Sequence, residues 1–148
     1  MELEDTDKKI LNILIDDSRL SLRQIAKKVD VSVATVMHHL NDMEENKIIN
    51  RYTSNLNYEK IGYDIEVMIE VRISKGKLIE VEKKIATNPN VFAVYDVTGA
   101  FDAVILARFK STRQMDSFLK KIQTYEFVER TETKFILRTM KDERMKVE

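Results

Sequence analysis

Two groups of residues in this 148-residue chain have types and spacing suited to chemistry, and neither is a complete catalytic set. The first gathers His38 and His39 with Arg23, Ser32, Ala34 and Thr35 close by in sequence. The second is the glycine-centred run Thr98-Gly99-Ala100-Phe101-Asp102. Arginine only donates hydrogen bonds, and neutral histidine donates one and accepts one, so the first group suits the edges of bases and the oxygens of phosphates. In the second, Gly99 supplies the positive φ of a hairpin turn and Asp102 an acceptor for the turn's own backbone. The chain has only these two histidines and no cysteine, so disulfides, thiol catalysis and cysteine-ligated zinc are excluded. With no Ser/His/Asp set, metal cluster or Gly-rich phosphate loop, neither an enzyme nor a cofactor is expected.

The elements around the first group read as two short capped helices. Ser21 with Gln24 forms a capping box, and Leu22, Ile25, Ala26 and Val29 fall on one face at helical spacing. Asp30-Val31 is the turn. Ser32 caps a second helix with Val33, Val36, Leu40 and Met43 as its apolar stripe, and Asn46 is expected to end it in a left-handed conformation. Such a pair is either a plain helical hairpin or a helix-turn-helix whose second helix enters the major groove of DNA. A 100° step from Leu40 turns Ala34, Thr35, His38 and Asp42 outward and sets His39 on the flank. Ser32 is placed to touch a phosphate at the helix N-terminus. An earlier amphipathic helix, from about Asp7 to Asp17 with Asp5-Thr6 as cap candidates, completes a three-helix unit. Residues 47–56 are rich in β-formers and turn residues, the place of a wing hairpin.

Charge runs against DNA binding. The chain is neutral overall, and residues 1–50 hold seven basic against ten acidic side chains, a net of −3. Arg23, Lys27 and Lys28 on one helix face are the local counterweight.

The second half changes period. Ile65, Val67, Ile69, Val71 and Ile73 alternate with Glu66, Met68, Glu70 and Arg72, as in a half-buried strand. A helix over 78–88, strands over 91–97 and 103–109, a helix from Ser111 or Thr112, and a strand over 128–139 follow. This β-α-β-β-α-β order predicts a ferredoxin-like domain with an antiparallel sheet and both helices on one face. Strands 91–95 and 103–106 are apolar on both faces, so the uncovered face either meets solvent or, as the sharper reading, packs on a second copy in a homodimer. The fold class is therefore α+β. Residues 1–52 are a winged helix-turn-helix domain, 53–63 a linker, 64–140 the βαββαβ domain for effector binding and oligomerisation, and 141–148 a charged tail. The acidic start of the chain carries no apolar leader segment, and no run suits a membrane span, so a cytoplasmic protein is expected.

Taken together, Leu3-Glu4-Asp5-Thr6-Asp7-Lys8-Lys9-Ile10-Leu11, the paired helices, the linker through Gly62 and Val97-Thr98-Gly99-Ala100-Phe101-Asp102 resemble the Lrp/AsnC family of transcription regulators. Thr131-Glu132-Thr133 is similar to that family's Thr-x-Thr. The resemblance covers nearly the whole chain. It implies a dimer on double-stranded DNA at a pseudo-palindromic operator, with tetramers or octamers as further assemblies. It also implies that Thr98, Gly99, Ala100, Phe101 and Asp102 line a pocket for an effector such as an amino acid. The chain departs from the family at His38-His39, where a pair of arginines is usual. If the histidines face DNA, binding weakens as pH rises through the histidine range. Two other functions compete: a dimeric sensor whose acidic first domain binds protein instead of DNA, and an enzyme like the sirohaem decarboxylases. The latter resemble the family in both halves but depend on histidines in the second domain, and none lies there.

Overall fold

The computed structural model describes residues 2–148, which divide into two compact units. One comprises the chain up to Asn55 together with Lys141–Glu148, and the other Leu56–Met140.

The first unit contains α1 (Asp5–Asp16), α2 (Leu22–Val29) and α3 (Val33–Glu45). Ile10 and Leu11 of α1, Ile25, Ala26 and Val29 of α2, and Val36, Leu40 and Met43 of α3 form its core. Full burial of each large side chain contributes about 1.5–3 kcal/mol, which lets a unit this small hold together. α1 begins at Asp5 rather than Asp7, because Glu4 serves as its N-cap and donates its backbone N–H to Asp7 Oδ2 at 2.8 Å. α3 ends at Glu45, but the left-handed residue is Lys47 (φ 58°), not Asn46 (φ −80°). Ile48 and Ile49 then both donate their N–H to Met43 O, which turns their side chains onto the core. That arrangement also removes the expected wing. Residues 46–49 are turn and bend, 50–57 form no ladder, and the β-forming isoleucines cap α3 instead of pairing in a hairpin.

The segment expected to be only a charged tail joins this unit. Asn12 on α1 accepts from the Val147 N–H at 2.8 Å and donates to the Val147 carbonyl at 2.9 Å. Lys146 Nζ donates to Asn12 O at 3.0 Å and pairs with Asp16, and Val147 packs on the apolar cluster.

The second unit opens with a 3-10 turn (Glu59–Ile61) and continues as β1 (Ile65–Ile73), α4 (Leu78–Ala86), β2 (Val91–Asp96), β3 (Ala103–Phe109), α5 (Thr112–Gln123) and β4 (Val128–Phe135). The strands form one antiparallel sheet in the order β2-β3-β1-β4. Alternation sorts the side chains. Val67, Ile69, Val71 and Ile73 of β1, with Ala103, Ile105, Ala107 and Phe109 of β3, are buried with Val81 and Ile85 of α4 and Met115, Phe118 and Ile122 of α5. α4 ends at Ala86, two residues before the expected Asn88, where Thr87 Oγ1 donates to Lys84 O and Asn88 Oδ1 accepts from Asn90 N–H. β4 stops at Phe135 rather than Thr139, after which Ile136 donates one more bond to Glu66 O.

On the opposite face, the register aligns Tyr95 with Val104 and Ala93 with Leu106, and sets Met68 beside Leu106. A bulge between Val91 and Ala93 puts Phe92 in reach of Arg108, whose guanidinium lies 3.9 Å from its ring centre. Arg108 also bonds Glu66 at 2.7 Å. No helix among the described residues is long and apolar enough to cross a membrane.

Candidate nucleic-acid interface and second-unit turn

Side-chain caps set the angle between α2 and α3. Ser21 Oγ accepts from Gln24 N–H at 3.2 Å while Gln24 Oε1 accepts from Ser21 N–H at 2.8 Å. Asp30 takes a left-handed conformation (φ 62°), and Val31 N–H returns to Ala26 O at 3.1 Å. Ser32 Oγ then accepts from Thr35 N–H at 3.0 Å and shares a 2.8 Å bond with Thr35 Oγ1. Both hydroxyls are thereby oriented at the first turn of α3.

Of the residues expected to face DNA, Arg23, Ser32, Ala34 and His38 are exposed, and Thr35 is half-buried. His38 is 75% exposed and its Nε2 lies 3.2 Å from Asp42 Oδ2. His39 behaves differently from its neighbour. Only 15% exposed, it sets Nδ1 2.7 Å from Oδ1 of Asp7, which is fully buried on α1. Asp7 therefore has both oxygens occupied, one by His39 and the other by Glu4 N–H. The expectation that both histidines face DNA is corrected for His39, whose Nδ1 joins α3 to α1 and leaves only Nε2 for anything else. Helical spacing already put His39 on the flank. What it could not show was the buried carboxylate waiting there.

Two exposed residues of α3 were missed. Met37 is 48% exposed and Asn41 is exposed. The 100° step from the buried Leu40 turns Asn41 outward and sets Met37 on the flank opposite His39, both on the side away from Asp42. The surface is electrically divided. Glu2, Glu4, Asp7 and Asp42 line a cleft with His38, His39 and Asn46, while Arg23, Lys27 and Lys28 stand exposed on α2. At the far end of α3 the Tyr52 hydroxyl donates to Glu44 at 2.7 Å, and burial followed by that carboxylate pushes its pKa up to about 12.

In the second unit, the turn after β2 is pinned by its aspartate. Val97 N–H donates to Asp102 O, Asp102 N–H to Val71 O, and Ile73 N–H to Asp102 Oδ2 at 2.8 Å. The carboxylate thus bonds β1 rather than the turn's own backbone, as had been expected. Gly99 has φ 118° with nothing near the position of a Cβ, so its role is conformational. Thr98, Gly99 and Ala100 are exposed, and Phe101 is half-buried with Arg130 5.6 Å from its ring centre. Near this turn, Glu82 has its carboxyl pKa raised by burial and by the charges of Asp96 and Asp102. Its Oε1 is buried without a hydrogen-bond partner among the described residues.

Comparison with known proteins agrees with the division into a helix-turn-helix unit and a sheet unit. Residues 3–50 match the family model of a winged helix-turn-helix DNA-binding domain, and residues 66–145 that of the Lrp/AsnC ligand binding domain. An uncharacterised HTH-type transcriptional regulator of Pyrococcus furiosus is 41% identical over 143 residues, 97% of each chain. The structure of E. coli AsnC superposes with a TM-score of 0.92 at 23% identity, covering 99% of this chain and all of that one. A Neisseria meningitidis transcriptional regulator, solved as a complex with L-Met, gives 0.89 at 23% identity over 96% of this chain and 94% of its own. With both of its units matched and a relative of that identity spanning its length, the chain belongs to the Lrp/AsnC family of helix-turn-helix transcriptional regulators.

Proposed function

We propose that this regulator acts in the cytoplasm, without catalysis, as a homodimer that sets two copies of α3 into successive major grooves of a pseudo-palindromic operator. The observation that carries this reading is the capped α2–α3 pair, with an outward face on α3 and three exposed cations on α2. A two-fold dimer places its half-sites about 34–36 Å apart, or a multiple of that. The partner surface is the sheet face carrying Phe92, Tyr95, Val104 and Leu106, opposite the one that α4 and α5 cover. Tetramers or octamers would add avidity to a first unit whose net charge is unfavourable.

The second unit is read as a sensor. The turn Thr98–Asp102, held by Asp102 on β1, offers exposed backbone to a small zwitterion such as an amino acid. The Neisseria complex with L-Met supports that class of ligand on this fold. Residues 1–52, 53–63, 64–140 and 141–148 then serve as DNA-binding domain, linker, sensor and tail, the last tied back to α1. Nuclease protection of the DNA upstream of the protein's own coding sequence, at low salt, tests the reading. A protected, two-fold related site is expected. Absence of protection at any protein concentration would favour a protein-binding module instead.

A further inference from the structure

The recognition helix of this chain carries no arginine or lysine. From Val33 to Glu45 its charged residues are Asp42, Glu44 and Glu45, and its exposed residues are Ala34, Met37, His38, Asn41, Glu44 and Glu45. Resting on the DNA-binding reading above, we propose that α3 reads adenine and thymine and does not read guanine, with Asn41 as the adenine-specifying residue.

The chemistry follows from what each base shows in the major groove. Guanine presents two acceptors, O6 and N7, and is selected by a fork of donors from arginine or lysine. No side chain on α3 has that fork. His38 offers at most one donor toward a base while its Nε2 faces Asp42 at 3.2 Å, and His39 Nδ1 is committed to Asp7 at 2.7 Å. Adenine presents an acceptor at N7 beside a donor at N6, which matches the two ends of a carboxamide. Asn41 is the only carboxamide on α3, and it is exposed with no side-chain hydrogen bond among the described residues. Thymine presents a methyl group, and Ala34 and the 48% exposed Met37 are the apolar side chains turned the same way. The side of α3 toward Asp42 and the acidic cleft repels phosphate, so the backbone is held from the α2 side by Arg23, Lys27 and Lys28. Cations therefore position the helix and neutral groups read the bases.

Selection from a random double-stranded DNA pool with the full chain, beside the same selection with Asn41→Ala, tests this. Asn41 is on the surface, and alanine is a better helix former, so the variant keeps its fold. The wild type is expected to enrich half-sites with a required adenine and no required guanine. Asn41→Ala should lose about 5- to 150-fold of discrimination at one base pair per half-site and keep its affinity for unrelated DNA. Replacing thymine by deoxyuridine in the selected site should weaken wild-type binding, and Met37→Ala should remove that sensitivity. A required guanine in the half-site, or an Asn41→Ala profile identical to the wild type, overturns the proposal while leaving DNA binding intact. Failure of the wild type to retain any DNA at low salt overturns the DNA-binding reading itself, and this inference with it.

Discussion

At the scale of single residues, two adjacent histidines illustrate how neighbours on one helix diverge. His38 lies in solvent beside Asp42, whereas His39 closes the hydrogen-bonding of the fully buried Asp7. His39→Ala leaves a buried carboxylate oxygen without its partner and is expected to destabilise the first unit by about 1–3 kcal/mol, read by urea denaturation. His38→Ala should fall within about 0.5 kcal/mol of the wild type in the same assay, as an exposed substitution. Glu82 gives a pH signature to the second unit. Its carboxyl pKa is raised in the folded state, so its proton is held more tightly there than in the unfolded chain. The stability this contributes is complete below the ordinary glutamate range and is lost as pH rises through the raised value. Glu82→Gln should therefore flatten the decline in melting temperature with rising pH and leave the variant more stable than wild type at pH 8. Equal slopes for both proteins would remove Glu82 as the cause.

At the scale of elements, the caps and the tail make separable contributions. Ser32→Ala removes the oxygen that accepts from Thr35 N–H and should cost about 1 kcal/mol, with operator affinity falling further than unrelated binding because α3 frays at its reading end. Deleting residues 141–148 strips Val147 and its two bonds to Asn12 from α1, so amide exchange in α1 should quicken while the β-strand amides keep their protection. The helices and strands were legible because each repeats its apolar residues at its own period. Ser21 and Ser32 marked two helix starts, and both accept the expected bond, while of the two starts left open for α5 it is Ser111 that caps it. What escaped was set by contacts distant in sequence. Asp7 is an ordinary surface residue by pattern, yet it is buried and bonded to His39, 32 positions later. Val147 sits in a run of charges and finds Asn12 135 positions back. The wing failed for a local reason, since Ile48 and Ile49 are as good at capping a helix as at forming a strand.

At the scale of the whole molecule, a chain with balanced charge that is to hold a polyanion must divide the work, with positioning and reading on different helices. On the proposed reading, the sheet face opposite α4 and α5 carries the assembly. Leu106→Glu sets a charge at its centre and should shift sedimentation from dimer to monomer with the helical content unchanged. The most direct test of the central claim is the salt dependence of affinity for the selected operator, in the wild type and in Arg23→Ala. If Arg23, Lys27 and Lys28 of two protomers neutralise about six phosphates, log K falls with log salt at a slope near about −5. Arg23→Ala should reduce that slope by about 2 per dimer, and the preferred sequence should stay the same. An unchanged slope, or a changed sequence preference, would contradict the division of work between α2 and α3.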